Sequence, residues 1–191
     1  MPEHSTREGW LTAAVMGMRP WFDEIGVTLP DKIRVACGWS KRSGKGIGWC
    51  WKREASADGT NELLISPETA EPTKALATLV HELIHASDDG ESKHAGDFRE
   101  RAKAIGLTGK MTATFAGDAL QARLEVLAAE LGSYPHAEIN PLLSAVPKQT
   151  TRMILLKCPD DGYSVRTTRK WIDVGMPSCP CGERMELGDT P

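Results

Sequence analysis

No apolar run in this chain approaches the ~18 residues of a membrane span, so no transmembrane helix and no membrane partner is expected. The first eight residues, Met1 to Glu8, lack the apolar stretch of a secretory signal peptide. There is no internal repeat and no low-complexity tract, which excludes repeat architectures. Strong charge of either sign is also missing. The net charge of −3 argues weakly against a polyanion partner, since the distribution of charge matters more than its sum. Cysteine is sparse and odd in number, at five. Cys37 and Cys50 lie in apolar, strand-like runs and read as buried free thiols rather than a disulfide, while Cys158, Cys179 and Cys181 cluster. That usage suits a reducing compartment, and the expectation is a cytoplasmic protein.

What is present is enough for one ordinary domain and a small appendage: 191 residues, 40% of them hydrophobic. Thr6 to about Ile25 reads as a helix with Trp10, Ala14, Val15, Met18 and Phe22 near one face, and Arg19-Pro20 as a point where it kinks. Strands are expected over Lys32–Trp39, where Ile33, Val35 and Cys37 alternate, over Ile47–Lys52 and over Glu62–Ser66. Three helical patterns follow: Thr73 onward, about His94 to Ile105, and about Ala119 to Leu131. Strands followed by helices predict an α+β domain. The expected division is a main domain over 1–133, a proline-bearing connector or arm over 134–152, and a C-terminal segment over 153–191.

His81-Glu82-Leu83-Ile84-His85 is the most specific motif. On a helix, positions i and i+4 share a face, so both imidazoles can address one metal ion. Glu82 stands beside the first of them, where a general base for water is needed. The pattern has only three fixed positions, and alone it also arises by chance. Its flanks strengthen it. Leu76, Leu79, Val80, Leu83 and Ile84 form an apolar face, and Pro72-Thr73 marks a helix start. Two histidines and an acid on a buried helix need a partner, because unpaired buried polar groups cost several kcal/mol. A catalytic zinc takes three protein ligands and leaves one position open. His94, opening the next helix, is the best third candidate. His4 and His136 read as solvated, and Asp88, Asp89 and Glu91 as a solvated acidic loop. The spacing from His85 to His94 is too long for the metzincin pattern.

The run from His81 to Phe98 resembles the SprT-like metallopeptidase family, which includes the Spartan DNA–protein crosslink proteases. Its members combine H-E-x-x-H with a short variable loop and then H-G-x-x-F. Here His94 and Phe98 hold the last motif's places, with Ala95 where the family commonly has Gly. The resemblance implies a zincin-like domain, zinc on His81, His85 and His94, and water activation by Glu82. It also implies a protein substrate associated with DNA, and a nucleoid-associated setting.

The C-terminal segment resembles the zinc ribbon that often follows the SprT-like catalytic domain. Cys158 opens a first knuckle and Cys179-Pro180-Cys181 forms a second. It departs from the usual C-x-x-C twice: Asp161 stands in a cysteine's place, and the second knuckle is C-x-C. Three readings stay open. Cys158, Asp161, Cys179 and Cys181 bind a second zinc; or three thiolates bind it alone; or the ribbon folds without metal around Ile154, Leu156, Tyr163, Val165, Trp171 and Ile172.

Nucleic-acid contacts have two candidate patches. From Asp31 to Glu54 there are seven bases against two acids, interleaved with Trp39, Trp49 and Trp51. Lys41, Arg42 and Lys45 there could meet phosphate while tryptophans stack bases. The favoured reading is plainer: core tryptophans on one strand face and a solvated basic hairpin. The second patch is Arg166, Arg169, Lys170 and Trp171, although residues 153–191 carry five bases and six acids in total. Three functions therefore compete: a DNA-dependent protease, a regulatory peptidase cutting one repressor-like protein, and a non-catalytic zinc-containing adaptor that binds DNA or protein.

Overall fold

The computed structural model describes residues 4–40, 46–144 and 153–188. Lys41, Arg42 and Lys45, named above as nucleic-acid contacts, lie outside the described residues. The chain is mixed α+β and divides into two compact units, Met1–Asn140 and Pro141–Pro191. Among the described residues, no helix is long and apolar enough to cross a membrane.

The first unit begins with helix α1 (Arg7–Glu24). Thr6 caps it by accepting a hydrogen bond from the Gly9 N–H at 3.1 Å. Trp10, Leu11, Ala14, Val15, Met18 and Phe22 are buried at helical spacing, and the helix runs on through Pro20 to Glu24. Strands β1 (Ile33–Cys37), β2 (Gly48–Trp51) and β3 (Asn61–Ile65) form a sheet of order β1-β3-β2. β1 runs parallel to β3 and β2 antiparallel to it, which leaves β2 at an edge.

Helix α2 (Pro72–Ser87) packs against this sheet. Pro72 takes the first helical position, where its missing N–H costs nothing, and Glu71 accepts from the N–H groups of Thr73 and Lys74. Leu76, Leu79, Val80, Leu83 and Ile84 are fully buried. Each contributes roughly 1.5–3 kcal/mol by leaving water. Helix α3 (Gly96–Ile105) ends at Gly106, whose φ of 102° only glycine adopts readily. A hairpin of β4 (Leu107–Lys110) and β5 (Ala113–Ala116) then leads to α4 (Asp118–Leu131), which buries Leu120, Leu124, Leu127 and Leu131. The sequence reading did not anticipate this hairpin.

Two expectations are corrected here. Trp49 and Trp51 do share a strand face, but it is not the core face. Cys50 pairs across β3 with buried Leu63 and packs on the core, and a Cβ on Gly48 would lie 2.6 Å from Thr78 Cγ2 of α2. Alternation therefore turns Gly48 and Cys50 toward the helices and both tryptophans away from them, where each is half-buried. The second correction concerns the chain after α4. Tyr134 joins the core, its ring 4.6 Å from that of Trp10, and the Ile139 N–H donates to Pro67 O at 3.0 Å. His136, expected to be solvated, bridges Pro67 O at 2.9 Å and Arg7 at 3.1 Å. The first unit thus extends to Asn140, past the boundary drawn after residue 133.

The second unit holds β6 (Ile154–Lys157), β7 (Ser164–Thr167), α5 (Arg169–Val174) and β8 (Glu186–Leu187), with sheet order β7-β6-β8. Its buried core among the described residues is Leu156, Cys158, Cys179 and Met185. Tyr163 and Trp171, expected in a metal-free core, are 49% and 58% exposed. Ile154, Val165 and Ile172, expected in the same core, pack against it partly buried, so the apolar core of this unit is small.

Candidate metal centre

The i, i+4 spacing on α2 puts His81 and His85 on one face, ring centroids 5.1 Å apart. His94 precedes α3 and completes the group, 4.7 Å from His85 and 5.4 Å from His81. One ring nitrogen from each lies within 4.8 Å of the others, and the Nε2 atoms of His85 and His94 are 3.2 Å apart. Three nitrogens bound to one ion at roughly 2.0–2.1 Å lie roughly 3–3.5 Å from one another. The triad therefore fits a metal ion after small ring movements. Phe98, 1% exposed, forms its floor: it stacks on His85 at 4.4 Å and meets His81 edge-on at 4.9 Å. Ala95, the departure from the family pattern, has φ −130° and ψ −177°, extended backbone that any residue adopts.

Electrostatics suit ligation. Burial, helped by the neighbouring imidazoles, lowers His81 to about 3 and His85 to about 4, and burial lowers His94 too. Neutral rings keep a lone pair for a cation at neutral pH. Glu82 points from the same helix, is 5% exposed, and is pushed up to about 8 by burial. A cation in the triad favours its charged form and brings that value down.

The loop between His85 and His94 is not the solvated acidic segment expected. Asp89 and Lys93 adopt left-handed backbone, with φ of 56° and 52°. The Asp89 carboxylate accepts from the Arg53 N–H at 2.9 Å and from Asn61 Nδ2 at 2.8 Å, which ties the loop to β3. Asp88 accepts from the Gly90 N–H at 3.1 Å and lies 3.6 Å from Arg101 on α3. Both acids build the turn that delivers His94. Glu91 is exposed and paired with Lys52, outside the triad.

His81, Glu82, His85 and His94 line a cleft of about 910 Å³, between edge strand β2 and the β4–β5 hairpin. Trp49, Trp51 and Thr114 are also among its lining residues. Thr114 Oγ1 lies 2.7 Å from His81 Nδ1. Gly48 lies directly against Glu82. The sequence reading named neither residue, and no motif marks them.

In the second unit the four donors named from sequence converge. One ligand atom from each of Cys158, Asp161, Cys179 and Cys181 lies within 4.8 Å of the others. Cys158 Sγ is 3.5 Å from Cys181 Sγ, and Cys179 Sγ is 3.4 Å from Asp161 Oδ2. Two tight turns bring them together: the Gly162 N–H donates to Cys158 O, and the Gly182 N–H to Cys179 O. Asp161 has the reach its place in the knuckle requires, while the Tyr163 N–H anchors its carboxylate at 2.9 Å. This cluster, like the histidine triad, could hold a metal ion. Arg166, Arg169, Lys170 and Trp171 are all exposed, with Lys170 Nζ 5.0 Å from the Trp171 ring.

No protein-family model matches the chain, and no curated protein or solved structure gives a significant match.

Proposed function

We propose that the chain is a zinc-dependent peptidase of the SprT-like type, with a zincin-like first unit and a zinc-ribbon-like second unit. The observation that carries this reading is the convergence of three neutral imidazoles and the buried Glu82 carboxyl in one cleft. His81, His85 and His94 would hold the zinc. Bound there, it supplies positive charge that acidifies water and polarises a carbonyl. Glu82 accepts a proton from the attacking water and delivers it to the leaving amine. A carboxyl whose proton affinity is lifted by burial suits both halves of that transfer.

Edge strand β2 supports a peptide substrate over a small molecule. It lines the cleft, and an extended chain can add to the edge of a sheet. The intact buried acid counts against the adaptor reading, because structural zinc needs no general base. Proteins associated with DNA are the proposed substrates. The exposed Arg166, Arg169, Lys170 and Trp171 support that part, offering phosphate contacts and a stacking surface. The site in the second unit is proposed as a structural zinc on three thiolates and one carboxylate.

Glu82→Gln is the test. The variant should keep zinc and fold and lose cleavage of an unfolded protein substrate. Undiminished cleavage would rule the reading out. Stimulation of the wild-type protein by single-stranded DNA separates a DNA-dependent protease from a regulatory peptidase indifferent to DNA.

A further inference from the structure

We infer that Thr114 is a positioning residue for the metal centre: its hydroxyl fixes which nitrogen of His81 faces the triad. The inference rests on the proposed zinc site and goes beyond its ligands. Thr114 sits on β5, a different element from all three histidines. Alternation on β5 aims it at α2, while its neighbours Ala113 and Phe115 are exposed. Its Oγ1 is 2.7 Å from His81 Nδ1, a short hydrogen bond.

The geometry decides the tautomer. His85 and His94 present their Nε2 atoms to each other at 3.2 Å, so the centre of the triad lies on the Nε2 side. With Nδ1 engaged by Thr114, Nε2 is the atom His81 has left to offer. If Nε2 gives its lone pair to a cation, Nδ1 carries the ring proton, and Thr114 Oγ1 accepts the hydrogen bond from Nδ1–H. Its hydroxyl can do so, having no other hydrogen-bond partner among the described residues. His85 and His94 have no such orienting side chain among the described residues; their Nε2 atoms face each other. A fixed Nδ1–H donor raises the basicity of the opposite nitrogen. The β4–β5 hairpin thus reaches the metal through one hydroxyl.

The test is zinc titration of the full chain, followed by the imidazole resonances of the three histidines. Those signals separate this site from the cysteine cluster. Thr114→Val removes the hydroxyl at nearly constant shape and should weaken zinc binding at the triad by ~10–100-fold. Thr114→Ser keeps the hydroxyl and should restore most of the affinity. In zinc-loaded wild-type protein, long-range proton–nitrogen correlation should show His81 bound through Nε2 with a slowly exchanging Nδ1–H. In Thr114→Val that proton should exchange rapidly. Wild-type affinity in Thr114→Val, or ligation of His81 through Nδ1, would overturn the inference while leaving the zinc peptidase reading intact. Absence of any zinc response at the three histidines of the wild-type protein would overturn both.

Discussion

Glu82 Oε1 occupies space that a side chain on Gly48 would need: an ideal Cβ there would lie 2.5 Å from it. Thr78 Cγ2 would be 2.6 Å away, so both neighbours would have to shift to admit it. Gly48→Ala is therefore expected to push the Glu82 carboxylate from its place while leaving the three histidines intact. Turnover by the proposed peptidase should fall about tenfold or more with zinc content unchanged, at a stability cost of about 1–3 kcal/mol from overpacking. Kinetics beside elemental analysis would check this, and unchanged turnover would show that Glu82 tolerates relocation.

Glu82 also sets a pH dependence in the metal-free protein. Its folded value of about 8 lies above the usual 4.5, so the folded state holds the proton more tightly. Stability from that preference is complete below about pH 4.5 and is lost as pH rises toward 8. At pH 7 the loss is roughly 3 kcal/mol. Metal-free Glu82→Gln should match the wild type near pH 4 and be more stable above it, with the gap widening to about pH 8. Urea unfolding across that range measures it. Equal stabilities at pH 8 would contradict the burial of this group.

Asp89 pins the loop that carries His94. Asp89→Ala removes the acceptor for the Arg53 N–H and for one amide proton of the fully buried Asn61, and leaves alanine in left-handed backbone. The expected cost is about 1–3 kcal/mol in unfolding free energy. Zinc affinity at the triad should fall with it, because His94 loses its anchor. Asp89→Asn, which keeps an acceptor and tolerates that backbone, should lose less. Denaturant unfolding and chelator competition on both variants would test the ordering.

The cysteine cluster predicts a count. The intact chain should bind two zinc ions, and Cys179→Ser one. The same substitution should abolish cooperative melting of the second unit, whose apolar core is small. One zinc in both proteins would mean that the cluster holds none.

How far the sequence discloses this site depends on how local each relationship is. The α2 histidines follow from a four-residue spacing, and the apolar run around them fixes the helix. His94 follows from a motif opening the next helix. Thr114 was not legible, because the hairpin that carries it is short and largely exposed, with burial confined to Leu107. Asp89 read as solvated because its partners, Arg53 and Asn61, are distant in sequence. For Trp49 and Trp51, alternation defines two faces of β2 without saying which looks inward. The decision lies with α2, which approaches so closely that a Cβ on Gly48 would meet Thr78 and Glu82.

His85 and His94 are joined by a short, already ordered loop, so an ion bridging them closes almost no free chain. Loop-closure entropy then contributes little, and the first unit, with its large core on α1, α2 and α4, has no need of such a staple. The second unit is the reverse case, a handful of buried groups drawn together by the cysteines themselves. A chelator should therefore act on one chain in two ways: it would empty the histidine triad without deforming the first unit, and dismantle the second.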